Sequence, residues 1–347
     1  MSRNPVVPSF AVITGEQVAQ VLTGDEKQVV GLTEEVYRLH GRGSTVNPPS
    51  YFLRFPDRPS SRIIALPASV GGEEPTDGLK WISSFPENVA AGIPRASAVL
   101  ILNDHETGYP FACLESSIIS ASRTAASAVL AAERLSTDER PRRIGFVGTG
   151  LIARYISHYF EATGWTFDEL GVHDLSADHA EAFAGYLRSR PGTAPVVVHG
   201  TAEELIRASD LVVFATVAGA PHIHEPAWFS HCPLVLNVSL RDVAPEVVLA
   251  SANFVDDVEH CLKANTSVHL TEQRVGNRDF IDGTICDVLR GRVAVPRDRS
   301  VIFSPFGLGV LDISLGRHVY NRLRDAGQLR VVDGFFHELD RYGRTGA

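Results

Sequence analysis

The stretch RRIGFVGTGLIARYISHYF at 142–160 constrains the fold more than any other part of the chain. An apolar strand, RIGFV, runs straight into Gly148, Gly150 and Ala153, and a helical pattern follows at once. In that setting GxGxxA has a mechanical reading. Gly148 makes the tight turn, Gly150 lets the backbone approach a pyrophosphate, and Ala153 lets the helix lie close on the strand. The first N–H groups of the helix and its positive dipole end then face the phosphates. A glycine turn without a ligand is the alternative, and the strand before and helix after favour a dinucleotide. Thr149, Leu151 and Ile152, inside the same loop and first turn, join Gly148 and Gly150 as candidate cofactor contacts.

Around this motif the pattern of elements changes character near residue 140. After it, apolar strands alternate with helical stretches: LGVHD, VVVHG, LVVFAT, LVLNVS and NFVDD, with helices expected near 150–162 and 177–189 and at EELIRAS. Such alternation predicts a parallel sheet covered on both faces. Before it come short strands bounded by Pro, Gly and Asp turns: YFLRF at 51–55, RIIALPASV at 62–70, LKWISSF at 79–85 and SAVLILND at 97–104. The tail FGLGVLDISLGRHVYNRLRDAG carries Val310, Ile313, Leu315 and Val319 at helical spacing and is expected to pack back across both halves. The expectation is an α/β protein. A Rossmann-type parallel-sheet domain spans 136–304, and an α+β substrate and dimerisation domain spans 1–135, completed by 305–347.

Composition narrows the partners. With 347 residues, 44% of them hydrophobic, the chain can bury cores for two domains. The formal charge is -9 and no basic stripe is present, which speaks against nucleic acid. The opening MSRNPVVPSFAVITG has no apolar run before a small-residue cleavage site, and no stretch approaches membrane-spanning length, so a cytoplasmic protein off the membrane is expected. Four scattered cysteines without CxxC spacing read as reduced thiols.

Asp174 ends the strand after the glycine loop, about twenty residues past Ala153, where an acidic side chain accepts hydrogen bonds from the adenosine ribose. Alone it could equally be a solvated strand-end charge; its position gives it weight. The residues that follow, LSAD, hold no Lys or Arg for a ribose phosphate, which favours NAD over NADP. The loop ATVAGAPHI, with Thr216 and Val217, is expected on the nicotinamide side.

Two cations of the first half have unusual neighbours. Lys80 lies between Leu79, Trp81 and Ile82, and Arg123 sits among Ser and Ala in ESSIISASRTAASAVLAAER. A guanidinium offers a rigid fork to a carboxylate, a lysine a movable point charge. From the residues alone, an edge-strand lysine and an exposed helix arginine explain them equally well. His222, His224, His231, Cys232, His260 and Cys261 make a poor ligand set, so no metal is expected, and the pairs Asp256/Asp257 and Glu73/Glu74 read as solvated charges.

Together GLKWISSFPEN, GIPRASAVLILNDHETGYPFACLE, SRTAASA, GFVGTGLIA and LNVSLRD make nearly the whole chain resemble the ornithine cyclodeaminase and mu-crystallin family. The resemblance implies a homodimer whose subunits each join a substrate domain to a Rossmann domain. It places the family's substrate-binding lysine on Lys80, its carboxylate-binding arginine on Arg123 and its catalytic aspartate on Asp242. The wording of NPPSYFLRFPDRPSSRIIALP and GLKWISSFPENVAAGIPRA is most similar to the branch that oxidises N-(2-amino-2-carboxyethyl)-L-glutamate with NAD, giving 2-oxoglutarate and 2,3-diaminopropionate for siderophores and peptide antibiotics. In that scheme Arg123 holds the α-carboxylate, Lys80 adds positive charge, and Asp242 takes the amine proton and then activates water. Ile64 stands where cyclodeaminases carry a carboxylate for the side-chain amine of ornithine, and Arg95 stands where they have a small polar residue, suiting a substrate with several carboxylates. A further family arginine has no clean match, since Tyr51 takes its place and Arg54 lies three residues on. Two other functions stay open: a cyclodeaminase, which returns the hydride it borrows, and a non-catalytic binder of a nucleotide and a small ligand, against which the joint presence of Lys80, Arg123 and Asp242 speaks.

Overall fold

A computed structural model describes residues 9–136 and 140–337. The chain divides into two compact units. Of the described residues, one takes 9–23, 43–120 and 309–337; the other takes 24–42, 121–136 and 140–308. The division differs from a cut at 135/136 in two ways: 24–42 joins the second unit, and the long helix after residue 116 is shared. The first difference has a plain cause. Helix α2 (Glu26–His40) is amphipathic and is fastened within the second unit by Tyr37 Oη to Ser127 Oγ at 2.7 Å and by Glu26 to His158 at 2.9 Å.

The first unit is a seven-stranded mixed sheet. Its strands are β1 (Ala11–Ile13), β2 (Thr45–Val46), β3 (Tyr51–Phe55), β4 (Arg58–Val70), β5 (Thr76–Ser84), β6 (Ala96–Asp104) and β7 (Pro110–Glu115), in the order β1-β7-β6-β5-β4-β2 with β3 also on β4. Only β1 and β7 run parallel; the other pairs are antiparallel. Helix α1 (Gly15–Leu22) starts with a capping box between Thr14 and Gln17, which satisfies two N-terminal amides. Strand β5 alternates: Thr76, Lys80 and Ser84 are buried on one face, while Trp81 is exposed on the other. The buried face is covered by the tail helix α11 (Gly309–Asp325), which buries Val310, Leu311, Ile313, Leu315, Val319 and Leu323. Burying each such side chain contributes about 1.5–3 kcal/mol. Gly316 permits the close approach, because a Cβ there would fall 2.1 Å from Leu100 Cδ2.

The second unit carries an eight-stranded sheet in which every pair is parallel, as the alternation predicts. Its strands are β8 (Arg143–Val147), β9 (Glu169–His173), β10 (Val196–Val198), β11 (Leu211–Phe214), β12 (Leu234–Asn237), β13 (Ala252–Val255), β14 (Ile281–Thr284) and β15 (Val301–Ser304). The order β10-β9-β8-β11-β12-β15-β13-β14 begins with 3-2-1-4-5, as a dinucleotide fold does, and its switch point lies between β8 and β11. Burial on both faces explains the uninterrupted apolar runs, such as Leu211 to Phe214, all fully buried. Helices α3 (Ser117–Leu135), α4 (Leu151–Ala162), α5 (Ala177–Arg188), α6 (Ala202–Ala208), α7 (Pro245–Leu249), α8 (Val258–Cys261), α9 (Ser267–Val275) and α10 (Ile285–Leu289) complete the chain. Among the described residues no helix is long and apolar enough to cross a membrane.

Candidate active site

The glycine loop sits at the switch point of the second unit. Gly148 has φ +87°, and a Cβ there would lie 2.7 Å from the Ala215 carbonyl oxygen, so only glycine fits between β8 and the end of β11. Gly150 is the N-cap of α4; space around it is open and no side chain caps the helix. Its first N–H groups are thus left for an anion. Ala153 is fully buried under α4. Asp174, past the end of β9, closes on this loop: Oδ2 accepts from Thr149 N–H at 3.1 Å and from Thr149 Oγ1 at 2.8 Å, and Oδ1 accepts from Ser176 N–H at 3.0 Å. A carboxylate has about four acceptor positions, so capacity for a ribose hydroxyl is left. Leu175 is 100% exposed and Val217 77%, each just past the carboxyl end of its strand. Exposed apolar side chains at the rim of such a sheet suit the flat faces of a base and a nicotinamide. The loop, the uncapped helix and Asp174 therefore fit a dinucleotide.

Asp242 lies in the turn after β12 and is entirely buried. Its carboxylate accepts from the hydroxyls of Thr216 and Ser239 and faces His222 Nε2 at 2.9 Å, with the His222 side chain 40% exposed. Arg123, half-buried on α3, reaches the loop after β15. Gly307 has φ +90°, and a Cβ there would fall 2.5 Å from Arg123 Nη1. That loop is pinned by Asp256, which accepts from Phe306 N–H at 2.9 Å and Gly307 N–H at 2.7 Å. Asp256 is fully buried, not the solvated charge expected; burial raises its pKa and the amide donors oppose the rise. Asp257 does sit at a turn, capping α8 through His260 N–H and meeting His40 and His260.

In the first unit Lys80 is buried in a central strand, which removes the edge-strand reading. Its Nζ donates to Asp312 Oδ2 at 2.6 Å and to Ser120 Oγ at 3.4 Å. A second set of cations occupies one end of the same sheet face. Arg54 pairs directly opposite Arg62 across β3 and β4, Arg62 opposite Ser84 across β4 and β5, and Arg95 donates to Ser84 Oγ at 2.8 Å. Ser84 is four positions from Lys80 on one face, about 13 Å at a strand's rise per residue. Ile64 and Ile82, opposite each other, lie between the two levels. Among the described residues Arg54 lies over the Phe52 ring and Arg95 has Ser84, so neither meets a carboxylate. Burial lowers the Arg95 pKa.

A family model for the ornithine cyclodeaminase/mu-crystallin family matches residues 11–327. The chain belongs to this family. It is 28% identical over 312 residues to N-((2S)-2-amino-2-carboxyethyl)-L-glutamate dehydrogenase of Staphylococcus aureus, covering 86% of this chain and 91% of that one. The crystal structure of CmnK matches with TM-score 0.84 at 32% identity, over 95% of this chain and 100% of that chain. An archaeal alanine dehydrogenase, solved as a dimer with bound NAD, matches in fold with TM-score 0.83 at 24% identity, over 94% of this chain and 100% of that chain.

In this ornithine cyclodeaminase/mu-crystallin chain, four site groups were missed by the sequence reading. Asp312 had a signal, a carboxylate on the apolar face of the tail helix. Asp256 had one too, following a strand with no polar break. Arg62 becomes visible only once strand register is known. His222 was weighed only as a metal ligand; among the described residues no three His, Cys, Asp or Glu gather as a ligand set.

Proposed function

We propose that this chain is an NAD-dependent oxidoreductase acting on the CH–NH group of N-(2-amino-2-carboxyethyl)-L-glutamate, yielding 2-oxoglutarate and L-2,3-diaminopropionate, a building block for siderophores or peptide antibiotics. The observation that carries the choice of substrate is the arginine level of Arg54, Arg62 and Arg95 on the face that also holds Lys80. Like charges set directly opposite each other destabilise a sheet. Such an arrangement makes sense where an anionic ligand completes it. A substrate with several carboxylates does so; ornithine, with a cationic side chain, meets Ile64 and these arginines instead.

The cofactor is held by Gly148, Thr149, Gly150, Leu151 and Ile152 at the phosphates, Asp174 at the adenosine ribose, and Thr216 and Val217 beside the nicotinamide. Asp174, with no Lys or Arg in the next four residues, favours NAD over NADP. When bound, NAD supplies the acceptor for a hydride from the glutamate α-carbon. Arg123 grips the α-carboxylate with its fork, orienting that carbon. Lys80, held by Asp312, adds positive potential, and the Asp242 group handles the amine proton, because an amine expels hydride only when neutral. A second copy of the chain covers the open face of the seven-stranded sheet, which makes the protein a homodimer.

Purified protein given NAD and the glutamate conjugate is expected to form NADH and 2-oxoglutarate together. Proline from ornithine without net NADH, and no NADH from the conjugate, contradicts the reading.

A further inference from the structure

We propose that His222 is the catalytic base of this site and that Asp242 acts through it as a positioning residue; this rests on the oxidoreductase reading above. Asp242 cannot meet a substrate where it stands. Its side chain is 0% exposed, closed over by Thr216, Ser239 and His222, which all meet its carboxylate. His222 is 40% exposed and is the member of the cluster that faces outward.

The pairing fixes which nitrogen is basic. A carboxylate that is ionised only accepts hydrogen bonds; with Asp242 in that form, His222 Nε2, 2.9 Å from Asp242 Oδ1, is the nitrogen that donates and Nδ1 the one with a lone pair. The backbone reinforces the geometry. The N–H groups of His222 and Ile223 both donate to the Asp242 carbonyl, at 2.9 and 3.0 Å, and Ile223 bridges to Val243. The loop is therefore strapped to the residue that orients its imidazole, a pair built on the same logic as an aspartate-held histidine in a hydrolase. Asp242 is the charged group facing the ring from the turn after β12, and Thr216 and Ser239 meet the same carboxylate with neutral hydroxyls. His224 and Glu225 follow on the loop, and Glu246 of α7 is a further carboxylate acting on His224.

The step assigned to His222 is a proton transfer. An N–H bond of the substrate ammonium breaks, a bond from that proton to Nδ1 forms, and the electron pair stays on the now neutral amine. No redox change occurs in it. The resulting imidazolium is stabilised by Asp242 and, being partly exposed, gives its proton to water.

The test compares His222→Gln with wild type in the pH profile of kcat/KM for the glutamate conjugate, and adds 15N–1H correlation spectra of the histidine side chains. His222→Gln is expected to lose about 100-fold or more in kcat/KM, to lose the acid limb of the profile, and to recover partly with added imidazole. The imidazole resonance absent from His222→Gln is expected to be the Nε2–H tautomer in wild type and to change in Asp242→Asn. A variant with the wild-type rate and acid limb, or an Nδ1–H tautomer at His222, overturns the proposal. If wild type does not turn over the conjugate, the function reading fails, and the tautomer still decides the role of His222.

Discussion

At the scale of single residues, Arg123 shows how a position is made for a guanidinium. Small neighbours on α3 leave it room, Gly307 lets it lie against a backbone no side chain could share, and Asp256 holds that backbone by two amides. Lysine at 123 keeps the charge and loses the fork. Arg123→Lys is expected to cost roughly 2 kcal/mol in kcat/KM, about thirtyfold, with NAD affinity unchanged. Unaltered steady-state kinetics would return Arg123 to the role of a surface charge. The arginine itself was legible in the sequence, because a charge in a small-residue helix is conspicuous. Its support was not: Asp256 lies far from it in sequence, and an Asp–Asp pair after a strand looks the same whether solvated or buried.

At the scale of elements, strands and helices were legible where their period is clean. β3 and β8 fall on the expected residues, and α4 and α5 match within one residue at either end. β1, β2, β7, β14 and β15 were not assigned, being short or lacking alternation. β15 enters the parallel sheet between β12 and β13, an order no local pattern encodes. The same alternation in β5 that buries Lys80 leaves Trp81 on the opposite face, with Val12, Tyr51, Leu53 and Val99 also exposed there. Apolar side chains exposed together on one sheet face suit association, and in the proposed homodimer a second copy covers them with the same residues by two-fold pairing. Trp81→Glu would place a charge in that interface. The purified protein is expected to sediment at twice the chain mass and the variant at the chain mass; a monomeric wild type would sink the dimer.

At the scale of the whole molecule, charge argues for a local mechanism of substrate choice. A net charge of -9 repels a polycarboxylate at long range, so the attraction has to come from a few well-placed cations. On the proposed reading, the level of Arg54, Arg62 and Arg95 is what selects a substrate with several carboxylates over a simple amino acid such as alanine. The most direct measurement is the ratio of kcat/KM for the glutamate conjugate to that for alanine, with NAD, in wild type and in Arg62→Gln. The account predicts a wild-type ratio well above one that falls about tenfold or more in the variant, as expected for losing a charge-assisted bond worth about 1.5–3 kcal/mol. A ratio at or below one in wild type, or the same ratio in both proteins, would contradict it.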